Sequence, residues 1–169
     1  MLLEIKSFDE IDARKLMDLY REGNEENAAY FYPGQADALQ KAEHDFLDYV
    51  NFNFFNKPGN RYMVLEQGGV WISALRLYPL EDRLYYLEAL ETHPDYRRRG
   101  FASQLLAGVT DGLKKQGAFR LCDCVGKNNA ASLRTHQTCG FEIISEKGYD
   151  YLRSEADDRR YGMQFVYEE

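Results

Sequence analysis

The chain has 169 residues, the usual size of one compact domain, and two full domains would each have a thin core. Hydrophobic residues at 44 %, with 13 Tyr and 10 Phe as large burial units, exclude a disordered chain. A net charge of -7 repels phosphate backbones and anionic lipid, so neither nucleic acid nor a membrane surface is an expected partner, and a cationic one suits the charge better.

Residues 3–8 alternate as a first strand, and Asp9 is placed to cap a helix through Ile11, Leu16 and Leu19 that Gly23 ends. Residues 24–33, rich in Asn, Glu and Tyr, read as a loop, after which residues 36–50 carry apolar side chains at helical spacing. Residues 62–66 and 70–78 are β-rich runs separated by Gln67, Gly68 and Gly69, which predicts a hairpin, and a third run covers residues 84–92. Beyond His93, Phe101, Leu105, Leu106, Val109 and Leu113 mark one face of a helix that stops near Gly117. Residues 119–125 follow as an apolar strand, residues 129–139 as a helix ended by Gly140, and residues 141–145 as another strand. The charged residues 147–160 read as a surface loop before a last strand at residues 162–167. Cys122, Cys124 and Cys139 lack paired metal-ligand spacing and are expected to be reduced core thiols, with no metal site. Charges interrupt the N-terminal apolar stretch, and no run approaches the roughly 18 residues a membrane span needs, so a soluble cytoplasmic protein is expected.

One segment stands above the rest. A strand runs through His93-Pro94-Asp95-Tyr96 into Arg97, Arg98, Arg99, Gly100, Phe101 and Ala102, and a helix follows at once. The first turn of a helix leaves backbone N–H groups unpaired where the macrodipole is positive, which is anion-binding architecture. Gly100 and the small Ala102 would let a diphosphate approach those amides, and the arginines would add charge-assisted contacts. The bland alternative is a solvated basic patch opening an ordinary helix. A nucleotide site of the P-loop kind is disfavoured because the Lys-Ser/Thr pair it needs is missing after Gly100.

Arg-x-x-Gly-x-Ala at residues 97–102 resembles the pyrophosphate-binding motif of the GNAT superfamily of N-acetyltransferases. Asn129-Ala130-Ala131-Ser132 through Cys139-Gly140-Phe141 resembles the second motif of that family, and the two occur in the family's order with one strand between them. The resemblance implies a single mixed α/β domain over residues 1–169. It would have a central sheet of about six to seven strands flanked by helices, a variable acceptor region near residues 9–55 and a cofactor-binding core near residues 84–145. It also implies acetyl-CoA, with the diphosphate on the amides of Arg98, Arg99, Gly100, Phe101, Ala102 and Ser103. The pantetheine arm would lie along the strand ending at Leu90, Glu91 and Thr92, where two central strands splay apart. Arg97, Asn129 and Ser132 complete the implied cofactor set, Asn129 doubling as a helix cap.

Acetyl transfer to an amine requires a base, because an alkylamine with a pKa near ~10.4 is mostly ammonium at neutral pH. Glu88 and Glu91 both lie near the end of the implied cofactor strand, three apart, so a regular strand points them to opposite faces and only one can serve. The family's proton acceptors lie at positions equivalent to Glu88 and Tyr86, which makes Glu88 the first choice, with an ion pair to an arginine as its structural alternative. A bulge would reverse that ranking in favour of Glu91. The family often places a Tyr hydroxyl in the second helix to protonate the leaving thiolate; this chain has His136 there, a weaker acid supply at an ordinary pKa, and Tyr149, Tyr151 and Tyr161 are other donors.

The acceptor site is expected from residues 24–33, 36–53 and 146–160. Glu25, Glu26, Tyr30, Phe31 and Tyr32 would suit a small-molecule or peptide amine. The alternative function is a non-catalytic acyl-CoA-binding sensor, and the Tyr and Phe content leaves room for a homodimer.

Overall fold

The computed structural model describes residues 1–169. Strand β1 (Leu2–Ile5) is followed by a short 3-10 turn and three helices, α1 (Ala13–Leu19), α2 (Arg21–Phe31) and α3 (Ala38–Asp48), the last widening into a π-helical turn at Tyr49–Phe54. Strands β2 (Arg61–Gln67), β3 (Val70–Pro79) and β4 (Leu84–Thr92) form an antiparallel meander. Helix α4 (Phe101–Lys114) crosses over to β5 (Phe119–Gly126), α5 (Ala130–Thr138) leads to β6 (Glu142–Ser145), and a ribbon of β7 (Gly148–Asp150) and β8 (Glu155–Asp157) precedes β9 (Arg160–Tyr167). The main sheet has seven strands in the order β1-β2-β3-β4-β5-β9-β6, with β4 and β5 its parallel pair.

Period-two alternation along β2 to β5 divides the interior into two cores. Met63, Leu65, Leu75, Leu77, Leu87 and Leu121 face α4, whose Leu105, Leu106, Val109 and Leu113 fall on one stripe. Tyr62, Val64, Ala74, Tyr78, Tyr86 and Cys122 face the other way, toward Leu16 and Leu19 of α1 and the Val50 and Phe54 turn. Each fully buried leucine contributes about 1.5–3 kcal/mol relative to exposure, so these apolar stripes fix the strand register. No helix is long and apolar enough to cross a membrane.

Four local expectations differ from the structure. Residues 24–33 are mostly helix: α2 buries only Asn24 and Ala28, one turn apart, so its inward face has no apolar period to read, and packing against α3 organises it. Gly23 therefore lies inside α2 and does not end α1, and the α1 cap is Asp12, which accepts from Lys15 N at 3.1 Å, rather than Asp9. Residues 147–160 contain the β7–β8 ribbon, whose turn is gathered by Asp150 through Leu152 N at 2.8 Å and Arg153 N at 3.2 Å.

A Cβ added at Gly23 meets no heavy atom within 4 Å, and the residue is helical. Gly23→Ala should raise the thermal midpoint by the equivalent of about 0.5–1 kcal/mol, read by calorimetry, with a lowered midpoint contradicting the helical assignment.

Candidate active site

β4 and β5 pair only from Leu84↔Arg120 to Tyr86↔Cys122, and then part, as the family resemblance implied. The gap leads to the turn after β4. His93 anchors that turn: its backbone N–H donates to Ile72 O at 2.8 Å, its Nδ1 accepts from Asp95 N at 3.2 Å, and its Nε2 therefore carries the hydrogen that meets Asp18 Oδ2 at 3.0 Å. Arg98 at φ 60° and Gly100 at φ 79° then curl the backbone into α4. The backbone amides of residues 98–103 find no acceptor in the protein, and α4 has no side-chain N-cap, whereas α5 is capped by Asn129 Oδ1 at 3.0 Å from Ser132 N. A Cβ on Gly100 would project into open space. Free amides, a positive helix end and room above Gly100 suit two linked phosphates.

The cleft over these amides measures about 490 Å³. Leu90, Glu91 and Thr92 form one wall, Arg98, Gly100, Phe101, Ala102 and Ser103 the end, and Asn129, Ser132 and Thr135 the other wall. Arg97 touches the cleft, but its guanidinium is committed elsewhere, with Nη1 at 2.6 Å from Glu22 and Nη2 at 3.2 Å from Glu91. Arg99 lies outside the cleft lining, its guanidinium 5.4 Å from the Tyr96 ring centroid.

The two glutamates share a face. Arg76↔Glu88 and Ala74↔Glu91 are paired across β3 and β4, so two steps on β3 match three on β4, and the extra residue is accommodated at Ala89, with φ 53°. Glu88 Oε1 accepts from Arg76 Nε at 3.1 Å, Arg76 Nη2 at 2.9 Å and Tyr78 OH at 2.6 Å, which holds the carboxylate in an ion pair. Glu91 keeps one oxygen uncommitted, the other accepting from Thr92 N at 3.1 Å and Arg97. Burial pushes its pKa up, and the Thr92 amide and Arg97 only partly offset this.

His136 is 0 % exposed and does not line the cleft. Its Nε2 lies 2.7 Å from Asp123 Oδ2 and its Nδ1 2.8 Å from Ser132 O. Burial pushes the imidazole pKa down, but the Asp123 carboxylate and Ser132 carbonyl reverse the sign and leave it raised; burial also raises Asp123. Asp123 was missed from sequence, although a lone acid between Cys122 and Cys124 in an apolar strand is a readable signal. Arg76 and Ala89 carried no such signal, because their importance lies in cross-strand register.

A second cleft, of about 730 Å³, opens beside the bulge and reaches it at Ala89. Tyr20, Tyr49 and Phe46 supply rings, while Asp45, Arg76 and Arg153 supply charge. Its lining comes from along α2, from α3 with its extension, and from Arg153 of the β7–β8 turn, which fall within or beside the segments the sequence offered for an acceptor. Tyr20 OH donates to Ala89 O at 2.7 Å, tying α1 to the bulge. Of the residues expected there, Phe31 and Tyr32 line the cleft, whereas Glu25, Glu26 and Tyr30 do not. Cys122, Cys124 and Cys139 are free thiols.

A model of the Acetyltransferase (GNAT) family matches residues 15–141. No curated protein matches the chain. Among solved structures, the PaiA N-acetyltransferase of Thermoplasma acidophilum in complex with coenzyme A is similar at 16 % identity over 99 % of each chain, with TM-score 0.67. The ribosomal-protein-alanine N-acetyltransferase of Brucella melitensis is similar at 20 % identity over 99 % of each chain, with TM-score 0.62. A spermidine N-acetyltransferase chimera from Vibrio cholerae is similar at 16 % identity, covering 98 % of this chain and 95 % of that one, with TM-score 0.63.

Removing one partner of a buried ion pair strands the other, so Asp123→Ala should destabilise the fold by about 3–5 kcal/mol at neutral pH, read by denaturant melts. Because the folded-state pKa of His136 is raised, the contribution of its charge is complete below the ordinary histidine pKa and is lost as pH rises through the raised value. The deficit of the variant should therefore shrink under alkaline conditions; a pH-independent deficit would contradict the paired charge.

Proposed function

Because the chain belongs to the GNAT acetyltransferase family, we propose that it transfers an acetyl group from acetyl-CoA directly to a primary amine of a small molecule or a peptide. The carrying observation is the set of free amides at residues 98–103, lying where β4 and β5 part. Bound there, acetyl-CoA supplies a thioester whose carbonyl is open to amine attack. Arg98, Gly100, Phe101, Ala102 and Ser103 would hold the diphosphate, and Leu90, Thr92, Asn129 and Ser132 the arm. The wider cleft at Ala89 would hold the acceptor, so donor and acceptor clefts meet at the bulge. The structural neighbours include a ribosomal-protein-alanine and a spermidine N-acetyltransferase, and the cleft at Ala89 would suit an amine without restricting it to one.

Glu91 is the proton acceptor in this reading. Arg76 and Tyr78 together give Glu88 Oε1 three hydrogen bonds, and Glu88 lines neither cleft, whereas Glu91 lines the donor cleft and, through burial, holds a proton more tightly than an ordinary carboxylate. Glu88 instead fixes Arg76 against the Tyr49 ring, with the guanidinium 5.1 Å from the centroid, shaping the acceptor cleft. The Leu90 N–H, beside the bulge and without a register partner on β3, would be the donor for negative charge developing on the carbonyl oxygen.

Gly100→Leu would fill the open space above the amides and force a side chain into positive φ, so the coenzyme A dissociation constant should rise by roughly tenfold or more in calorimetry. Unchanged affinity would remove the cradle. Glu91→Gln should lower kcat about 100-fold with coenzyme A affinity intact, and should abolish an ascending pH limb displaced above the ordinary carboxylate range. Glu88→Gln should raise the acceptor KM and keep that limb; the opposite outcome would restore Glu88 as the base.

A further inference from the structure

The buried Asp123 and His136 have an outlet toward the donor cleft. His136 Nδ1 faces two oxygens of Ser132, the carbonyl at 2.8 Å and the hydroxyl at 3.4 Å, and Ser132 lines the cleft. A carbonyl only accepts, so Nδ1 carries a hydrogen; a second hydrogen lies between Nε2 and Asp123 Oδ2, which are 2.7 Å apart. The pair thus stores a proton. Asp123 is held in place by its other oxygen, which accepts from Cys124 N at 2.6 Å. No tyrosine lines the cleft, so the hydroxyl that this family often places beside the leaving sulfur has no tyrosine counterpart there.

We propose that Asp123, His136 and Ser132 form a proton relay in which the Ser132 hydroxyl, the member that reaches the cleft, protonates the thiolate leaving in acetyl transfer. This rests on the transfer reading above. As the carbon–sulfur bond breaks, its electron pair goes to sulfur, which takes the Ser132 O–H proton while Nδ1 passes its own proton to Oγ. His136 is left neutral, its remaining hydrogen on Nε2 facing the Asp123 carboxylate, and a proton from water restores the store. Ser132 is the catalytic member; His136 and Asp123 position and supply it. The charged surroundings are few: Asp123 on β5 touches the imidazole, Glu88 on β4 acts on Asp123 through its negative charge, the Phe141 ring meets the imidazole edge-on at 5.1 Å between centroids, and α4 turns Leu105, Leu106 and Val109 to this core.

Two measurements test the relay. In the free protein, nitrogen NMR of the imidazole should show both His136 nitrogens protonated at neutral pH, and Asp123→Asn should lower the pH at which one proton is lost. In steady-state assays at saturating acetyl-CoA with an amine panel, Ser132→Ala should lose about 100-fold in kcat and the alkaline descending limb, while Ser132→Thr restores both. A His136 with a bare ring nitrogen at neutral pH overturns the relay, as does a Ser132→Ala enzyme with the wild-type rate and pH profile. If the wild type acetylates no amine while His136 is doubly protonated, the transfer reading itself falls and takes the relay with it.

Discussion

A backbone amide without an acceptor must face water or an anion, and in this protein such amides run from residue 98 to 103, with every one of these residues but Arg99 lining one cleft. The run exists because two local choices coincide. Positive φ at Arg98 and Gly100 turns the chain inward, and α4 begins without the side-chain cap that α1 and α5 both have. A capped helix would have spent those donors internally. The sheet supplies the rest, since β4 and β5 stop pairing after Tyr86 and Cys122 and leave a slot leading from the cradle toward the sheet interior.

The β4 bulge then determines which side chains can act around that slot. One additional residue at Ala89 brings Glu91 onto the face of Glu88, and the two carboxylates enter different environments. Glu88 meets Arg76 and Tyr78, while burial raises the pKa of Glu91. On the opposite face of the sheet, β5 turns Asp123 toward α5, where His136 is closed off from solvent. The groups proposed to accept and to hold a proton thus lie on opposite faces of the sheet, with the slot between them, which is the separation that opposite proton movements would require.

The turn from β4 into α4 was legible in the sequence because its signal is local: a glycine, a small residue and arginines directly before an amphipathic helix. The mixed sheet and the β4–β5 divergence were implied by the family resemblance, whereas the strand order was not. What escaped was set by pairing. The Arg76–Glu88 contact depends on which residue of β3 faces which residue of β4, and the bulge at Ala89 leaves no mark in an alternating apolar pattern. Helix α2 was hidden for a related reason, since it buries a polar Asn24 and a small Ala28 and carries no apolar stripe. The role of His136 could not be read without its partner, because the same helical position looks like a packing residue, a surface residue or an acid until Asp123 is seen beside it.

The free amides at the start of α4 are proposed as a diphosphate receptor. Titrating coenzyme A into the nitrogen-15-labelled protein and following each backbone amide tests it directly. The largest shifts and new protection from hydrogen exchange should fall on residues 98–103, with smaller changes along Leu90, Glu91 and Thr92. Saturable binding that leaves those amides unmoved, or no binding at all, would contradict it.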